Sequence, residues 1–203
     1  MGFGWLLIGY LLAALMSLYR PLSVAMLIGW PLIIAGLSKL AHYERFFRYG
    51  YFLSFFSLPF ALFFAAEGLS FAEWIPAFRF LEVSYKLFSV CYFLFYFAIH
   101  LFLLLGIARL SKTLPLPETE LFAWRNFVIL AVYQVLYLVL LLPVPLFKNY
   151  GGYFALPLTL LRLLSVLLNL WLFYRCFMKI LPADRDLTRS SDLLENKKEG
   201  NLK

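Results

Sequence analysis

Charge is what this sequence lacks most. Asp, Glu, Lys and Arg make up 14% of its 203 residues, hydrophobic ones 64%, and the mean hydropathy is +0.84. A soluble domain carries about a quarter charged and about half apolar residues. The scarcity excludes an ordinary water-soluble fold and makes lipid the solvent. Polar/apolar alternation is missing as well, which excludes barrel strands and leaves helices to satisfy the backbone in lipid. Cysteine is confined to Cys91 and Cys176, in separate apolar runs and without metal or redox spacing. They are expected near opposite membrane faces, beyond the ~5.5 Å Cα separation of a disulfide. Absent too are a P-loop, a dinucleotide-binding glycine motif, HExxH, and the Gly-x-Ser-Gly, Gly-x-Gly-Asp and Glu-Glu-x-x-x-Arg signatures, so no nucleotide-driven step or familiar intramembrane protease chemistry is indicated. Nothing basic precedes the first apolar run and no small-x-small site follows it, so no cleavable signal peptide is expected.

What is present is a series of apolar runs, at about Phe3 to Tyr19, Leu22 to Leu40, Tyr51 to Ala66, Tyr85 to Ile107, Phe122 to Val144 and Phe154 to Met178. Since about 20 apolar residues cross the hydrocarbon core, they predict an all-α polytopic bundle of about six helices, the first two either spanning or forming a short re-entrant hairpin. The domain covers residues 1–181. Residues 182–203 form a charged tail with five basic and five acidic residues, expected to be disordered or briefly helical.

The formal charge of +7 invites a nucleic-acid reading, but Lys and Arg stand singly or in small groups between apolar runs, as they do where they set membrane orientation. No nucleic acid is expected as a partner. Thirteen of the 18 basic residues fall on the side of the termini, four (Arg20, Arg79, Lys86 and Lys148) on the other, and Arg162 lies within a run. The excess predicts both termini on the cytoplasmic side, of what is expected to be the plasma membrane. Arg20 alone favours the opposite sense for the first hairpin.

Small residues recur every four positions at Gly9, Ala13 and Ser17, at Ala25 and Gly29 with Gly36 beyond, and at Ser57, Ala61 and Ala65. Such stripes let helix backbones approach closely, and predict a tight three-helix front half. Glu67 to Glu82, with Phe71, Trp74, Ile75 and Phe78 around Pro76, reads as an interfacial segment. Pro115 and Pro117, followed by Glu118 and Glu120, read as a turn and a helix start.

The last run is the one on which the rest is organised. Thr159, Arg162, Ser165, Asn169 and Cys176 recur on one helical face, which must meet other helices rather than lipid. Arg162 is the sharpest signal: a guanidinium in the membrane costs at least about 2.5 to 3.5 kcal/mol, so it is expected either to lock helix packing, snorkelling to the outer headgroups or meeting Glu67 or Glu82 near that surface, or to serve a ligand or anion site. Gln134 and Tyr137 share a face and are expected to bond to Asn169 or Ser165 across the interface, for about 0.6 to 2 kcal/mol. His100 stands without a second histidine or a nearby carboxylate in its helix, so no metal site is expected and a hydrogen bond to a neighbouring helix is. No cofactor is implied.

Ile28-Gly29-Trp30-Pro31-Leu32-Ile33-Ile34-Ala35-Gly36-Leu37-Ser38-Lys39-Leu40-Ala41 resembles a pattern of uncharacterised small multi-pass integral membrane proteins of Gram-positive, clostridial-type bacteria. Trp171, Leu172, Tyr174, Arg175, Cys176, Phe177, Met178, Lys179 and Ile180 are similar to the run that closes their last span. Upstream of Gly29 the chain departs, with Ser23-Val24-Ala25-Met26 where that group has an Asp-Pro segment. The resemblance implies a bacterial membrane protein and transfers no catalytic residue.

Together these readings favour a non-enzymatic protein in the lipid bilayer, an accessory or scaffold subunit beside another membrane protein. The alternative is a small transporter or channel with a polar path around Arg162, Gln134, Asn169 and His100. A continuous cavity touching Arg162 and Gln134 would favour the alternative, whereas a closed polar cluster with an exposed aromatic groove would favour partnership. An enzyme would need a motif-free site assembled from Glu67, Glu82, Arg162 and His100.

Overall fold

The computed structural model describes residues 2–15, 19–74, 79–141 and 145–200, and among these every regular element is a helix. In chain order they are α1 (Gly2–Tyr10), which widens into a π-helical turn over Leu11–Leu15; α2 (Met26–Leu40), entered through a 3-10 turn at Arg20–Ala25; α3 (Arg45–Ser54); α4 (Ser57–Phe71); α5 (Arg79–Thr113); α6 (Pro117–Leu141); and α7 (Pro145–Gly200). The expected all-α bundle is present. Leu22–Leu40, Leu87–Thr113, Pro117–Leu140 and Gly152–Ile180 are each long and apolar enough to cross a membrane, and α3 with α4 makes a fifth crossing if the bent pair acts as one span. The chain is a multi-pass membrane protein.

Two apolar runs depart from the expected spans. The first yields the helix Gly2–Ala14, about 20 Å long and short of the ~30 Å hydrocarbon core. The third begins earlier, at Arg45, and breaks between α3 and α4 with a 44° bend. Pro59 explains the break: it lacks an N–H, and placing it in the first turn of α4 puts that lack where a helix has spare donors anyway.

The glycine stripes work as close-approach seams. A Cβ on Gly29 would stand 2.6 Å from the Ala13 nitrogen and 2.8 Å from the Gly9 carbonyl, and one on Gly36 2.9 Å from the Gly2 carbonyl, so α1 and α2 pack antiparallel, backbone against backbone. Ser17 lies outside the described residues. Ser57, Ala61 and Ala65 form a buried face of α4, and the Ser23 hydroxyl donates to the Phe64 carbonyl at 2.7 Å. Phe47, wholly buried, lies against Gly106 of α5.

α4 ends as the chain reverses at Glu73, whose φ is 60°, with Trp74 N–H donating to the Leu69 carbonyl and Glu73 N–H to that of Ser70. Phe71 and Trp74 are exposed there, while Ile75, Pro76 and Phe78 of the expected interfacial segment lie outside the described residues. Between α5 and α6 the expected turn is closed by Leu116 N–H on the Ser111 carbonyl, and Glu118 in the first turn of α6 pairs with Arg175 and Lys179 of α7. The backbone of α7 continues as helix through the charged tail to Gly200.

One end of the bundle collects cations on aromatic rings. Lys39 sits 5.3 Å from the Trp5 ring, Arg45 and Arg109 lie 5.5 and 5.3 Å from the ring of Phe46, and Arg125 and Arg175 lie 4.7 and 4.5 Å from that of Phe122. The start of α1 is at this same end, where Gly4 abuts Phe177 of α7.

Candidate intramembrane binding site

A cavity of about 170 Å³ lies among the helices in the half of the bundle away from the Glu118 ion pairs. Gln134 on its wall is about 24 Å along α6 from Glu118 at 1.5 Å per residue. Helical spacing explains which side chains face it. α7 contributes Arg162, Ser165 and Val166, and α6 contributes Leu130, Tyr133, Gln134 and Tyr137. From α5 come Tyr85, Ser89, Tyr92, Phe93 and Tyr96, and from α4 Phe64 and Glu67. Their rings form two packed walls. Phe64 lies 6.1 Å from Tyr85 and 5.1 Å from Tyr92, which is 5.8 Å from Tyr96, while Phe93 stacks 4.5 Å from Tyr137 and 6.2 Å from Tyr133.

Two polar side chains define what the cavity accepts. Arg162 is half-buried on the α7 side of the cavity, whose lining also holds Tyr92, Tyr96, Tyr133 and Tyr137. Gln134 is 4% exposed, and both its Oε1 and its Nε2 are without a hydrogen-bond partner among the described residues. Leaving a buried amide unsatisfied costs about 1 to 3 kcal/mol, so Gln134 is out of place unless it serves something in the cavity.

Toward the cationic end the cavity meets a hydrogen-bonded layer. Asn126 Nδ2 donates to the Leu168 carbonyl at 2.8 Å and to Asn169 Oδ1 at 3.2 Å, Asn169 Nδ2 donates to the Tyr10 hydroxyl at 3.2 Å, and the hydroxyls of Tyr10 and Tyr96 are 3.1 Å apart. Arg125 Nη2 donates to Asn126 Oδ1 at 3.2 Å, tying the layer to the exposed side. Four helices are thus joined. If Tyr10 donates to Tyr96, the Tyr10 hydroxyl both accepts from Asn169 and donates, and the Tyr96 hydrogen is left for the cavity, which Tyr96 also lines.

The candidate residues therefore separate into two groups. Arg162, Ser165, Gln134 and Glu67 share the cavity lining; the side chain of Glu82 is outside the described set. Asn169 belongs to the layer instead, and Gln134 makes neither of its expected bonds to Asn169 and Ser165 because Asn126 and Tyr10 hold Asn169. Tyr137 packs on Phe93 and Tyr133. His100 is not in the lining. Rather than hydrogen-bonding to a neighbouring helix, its Nδ1–H donates to the Tyr96 carbonyl of its own helix at 2.7 Å, and its ring lies tilted against Tyr96, centroids 3.9 Å apart, and 5.2 Å from the ring of Tyr10 in α1. Among the described residues no group of three or more His, Cys, Asp or Glu could hold a metal ion, and both cysteines are free.

Sequence reasoning passed over Tyr10, Asn126 and the tyrosines of α5. A signal existed for the last: Tyr85, Ser89, Tyr92 and Tyr96 recur at helical spacing inside a run that otherwise reads as Phe and Leu.

Fold and site together define a polytopic α-helical membrane protein with a cavity built into its bundle. No known protein family, curated protein or solved structure matches the chain.

Proposed function

We propose that this chain is a binding protein of transporter type, which takes a small polar or anionic molecule into its bundle from one side of the bilayer. The observation that carries the reading is Gln134, buried on the wall of the cavity that Arg162 also lines, with no described partner for its donor or its acceptor. The accessory or scaffold role draws only on exposed apolar faces such as Leu160, Leu164, Leu167 and Trp171, which lipid covers as well as a partner would. An enzyme is less well supported, since the described lining pairs no nucleophile with a histidine base. We place the protein in the plasma membrane of a Gram-positive, clostridial-type bacterium on the sequence resemblance, with both termini cytoplasmic on the charge asymmetry.

Cysteine accessibility tests the site. Thiol reagents attack thiolates, which form only where water reaches. In a Cys91→Ser, Cys176→Ser background, Ser89→Cys on the cavity wall should react with a membrane-impermeant thiol reagent, whereas Ser57→Cys, wholly buried outside the cavity, should not. An inert Ser89→Cys in folded protein would overturn the proposal.

A further inference from the structure

We infer that the molecule this cavity takes is a monocyclic aromatic carboxylate carrying a hydrogen-bond donor on its ring. The inference rests on the binding role proposed above and names its ligand class. It follows from three features of the lining: two ring walls, one guanidinium, and one amide with both of its functions open.

Size comes first. A cavity of about 150 Å³ admits benzene, and this one, of about 170 Å³, has room for one substituted ring but not for a fused system with a chain. The walls come next. Phe64, Tyr85 and Tyr92 in one ring cluster and Phe93, Tyr133 and Tyr137 in the other line the cavity, and an aromatic guest gains about 0.5 to 1.5 kcal/mol beyond its buried area for each well-placed ring pair. A flexible aliphatic guest of equal size gains no such term and loses more rotational freedom.

Charge fixes the functional group. The planar fork of Arg162 matches a carboxylate, and away from bulk water that pairing is worth more than at a surface. Arg162 places the guest's carboxylate toward α7, and one guanidinium in the described lining matches a monoanion rather than a dianion such as a phosphate monoester. Gln134 supplies the last condition. Across the ring from the carboxylate held by Arg162, a hydroxyl group both donates to Gln134 Oε1 and accepts from Nε2, which satisfies the amide where a second carboxylate, an acceptor only, would leave Oε1 open.

The test is equilibrium binding of radiolabelled 4-hydroxybenzoate to the full chain in nanodiscs of uncharged lipid, in competition with benzoate, phenol, benzylamine and inorganic phosphate. The expected order is 4-hydroxybenzoate, then benzoate, then phenol, with benzylamine and phosphate inert. Arg162→Gln should weaken both carboxylates by roughly ten- to a hundredfold, the worth of a charge-assisted bond, and leave phenol unchanged. Gln134→Leu should abolish the advantage of 4-hydroxybenzoate over benzoate, about two- to tenfold for one hydrogen bond. That variant removes a side chain with no described protein partner, so it keeps the test decisive should Arg162→Gln fail to fold. Binding of phosphate or benzylamine in place of the carboxylates, or of carboxylates without dependence on Arg162 and Gln134, would overturn the ligand class. If no probe binds although Ser89→Cys reacts with the aqueous reagent, the aromatic carboxylate falls while the water-accessible site stands.

Discussion

Gln134 separates a structural from a ligand-binding reading at the scale of one residue. Were its amide a strut between helices, removing it would strand a partner and lower stability by about 1 to 3 kcal/mol. Because neither of its polar atoms has a described partner, Gln134→Leu is expected to unfold in denaturing detergent at the same or a higher midpoint than the parent. Asn169 is the opposite case. It is fully buried and bonded to Asn126 and Tyr10, so Asn169→Leu should lower the unfolding free energy by about 1 to 2 kcal/mol in the same assay. Two amides in one membrane bundle thus differ in sign because one is spent on protein and the other faces a cavity.

Among the elements, α1 and α2 depend on each other through missing side chains. α1 is too short to hold a place in the bilayer alone, and its close seam with α2 recovers contact that the hydrophobic effect does not supply between helices in lipid. Gly29→Val should force the backbones apart and cost about 1 to 3 kcal/mol, seen as reduced folded yield on size-exclusion chromatography. Gly50→Ala is the control: a Cβ there meets only ordinary contacts, 3.6 Å from Phe102, and the yield should hold. The hinge between α3 and α4 has another origin, a proline donor deficit, and the adjoining Ser54 hydroxyl bonds back to the Gly50 carbonyl at 2.7 Å.

The whole molecule is polarised along its axis. Aromatic-backed cations and the Glu118 pairs gather at one end, the amide and tyrosine layer crosses the middle, and the cavity occupies the other half. The first residues of α1 and the close of the last span meet at the cationic end, as Gly4 on Phe177 records. Fluorescent and periplasmic-type reporters fused to either terminus should both report the cytoplasm, and a tag inserted at Leu116 should share that side. A terminal reporter active outside would reverse the assigned orientation and put the cavity toward the cytoplasm.

Hydropathy and length alone determined that this is a helical membrane protein, where its long spans run, and which small-residue stripes bring backbones together. These are consequences of transfer energy and steric size, which belong to each segment in itself. The same local logic picked out Arg162 and Gln134, because polar groups in lipid are costly wherever they end up. Only the tertiary structure decided that Arg162 and Gln134 share a cavity while Asn169 and His100 do not, that Tyr10 of the first helix bonds to Asn169 of the last, and that the run around Pro59 bends. Those outcomes turn on how helices distant in sequence are rotated and aligned on one another, and a change of about 100° in one helix's rotation would exchange a cavity-facing residue for its neighbour.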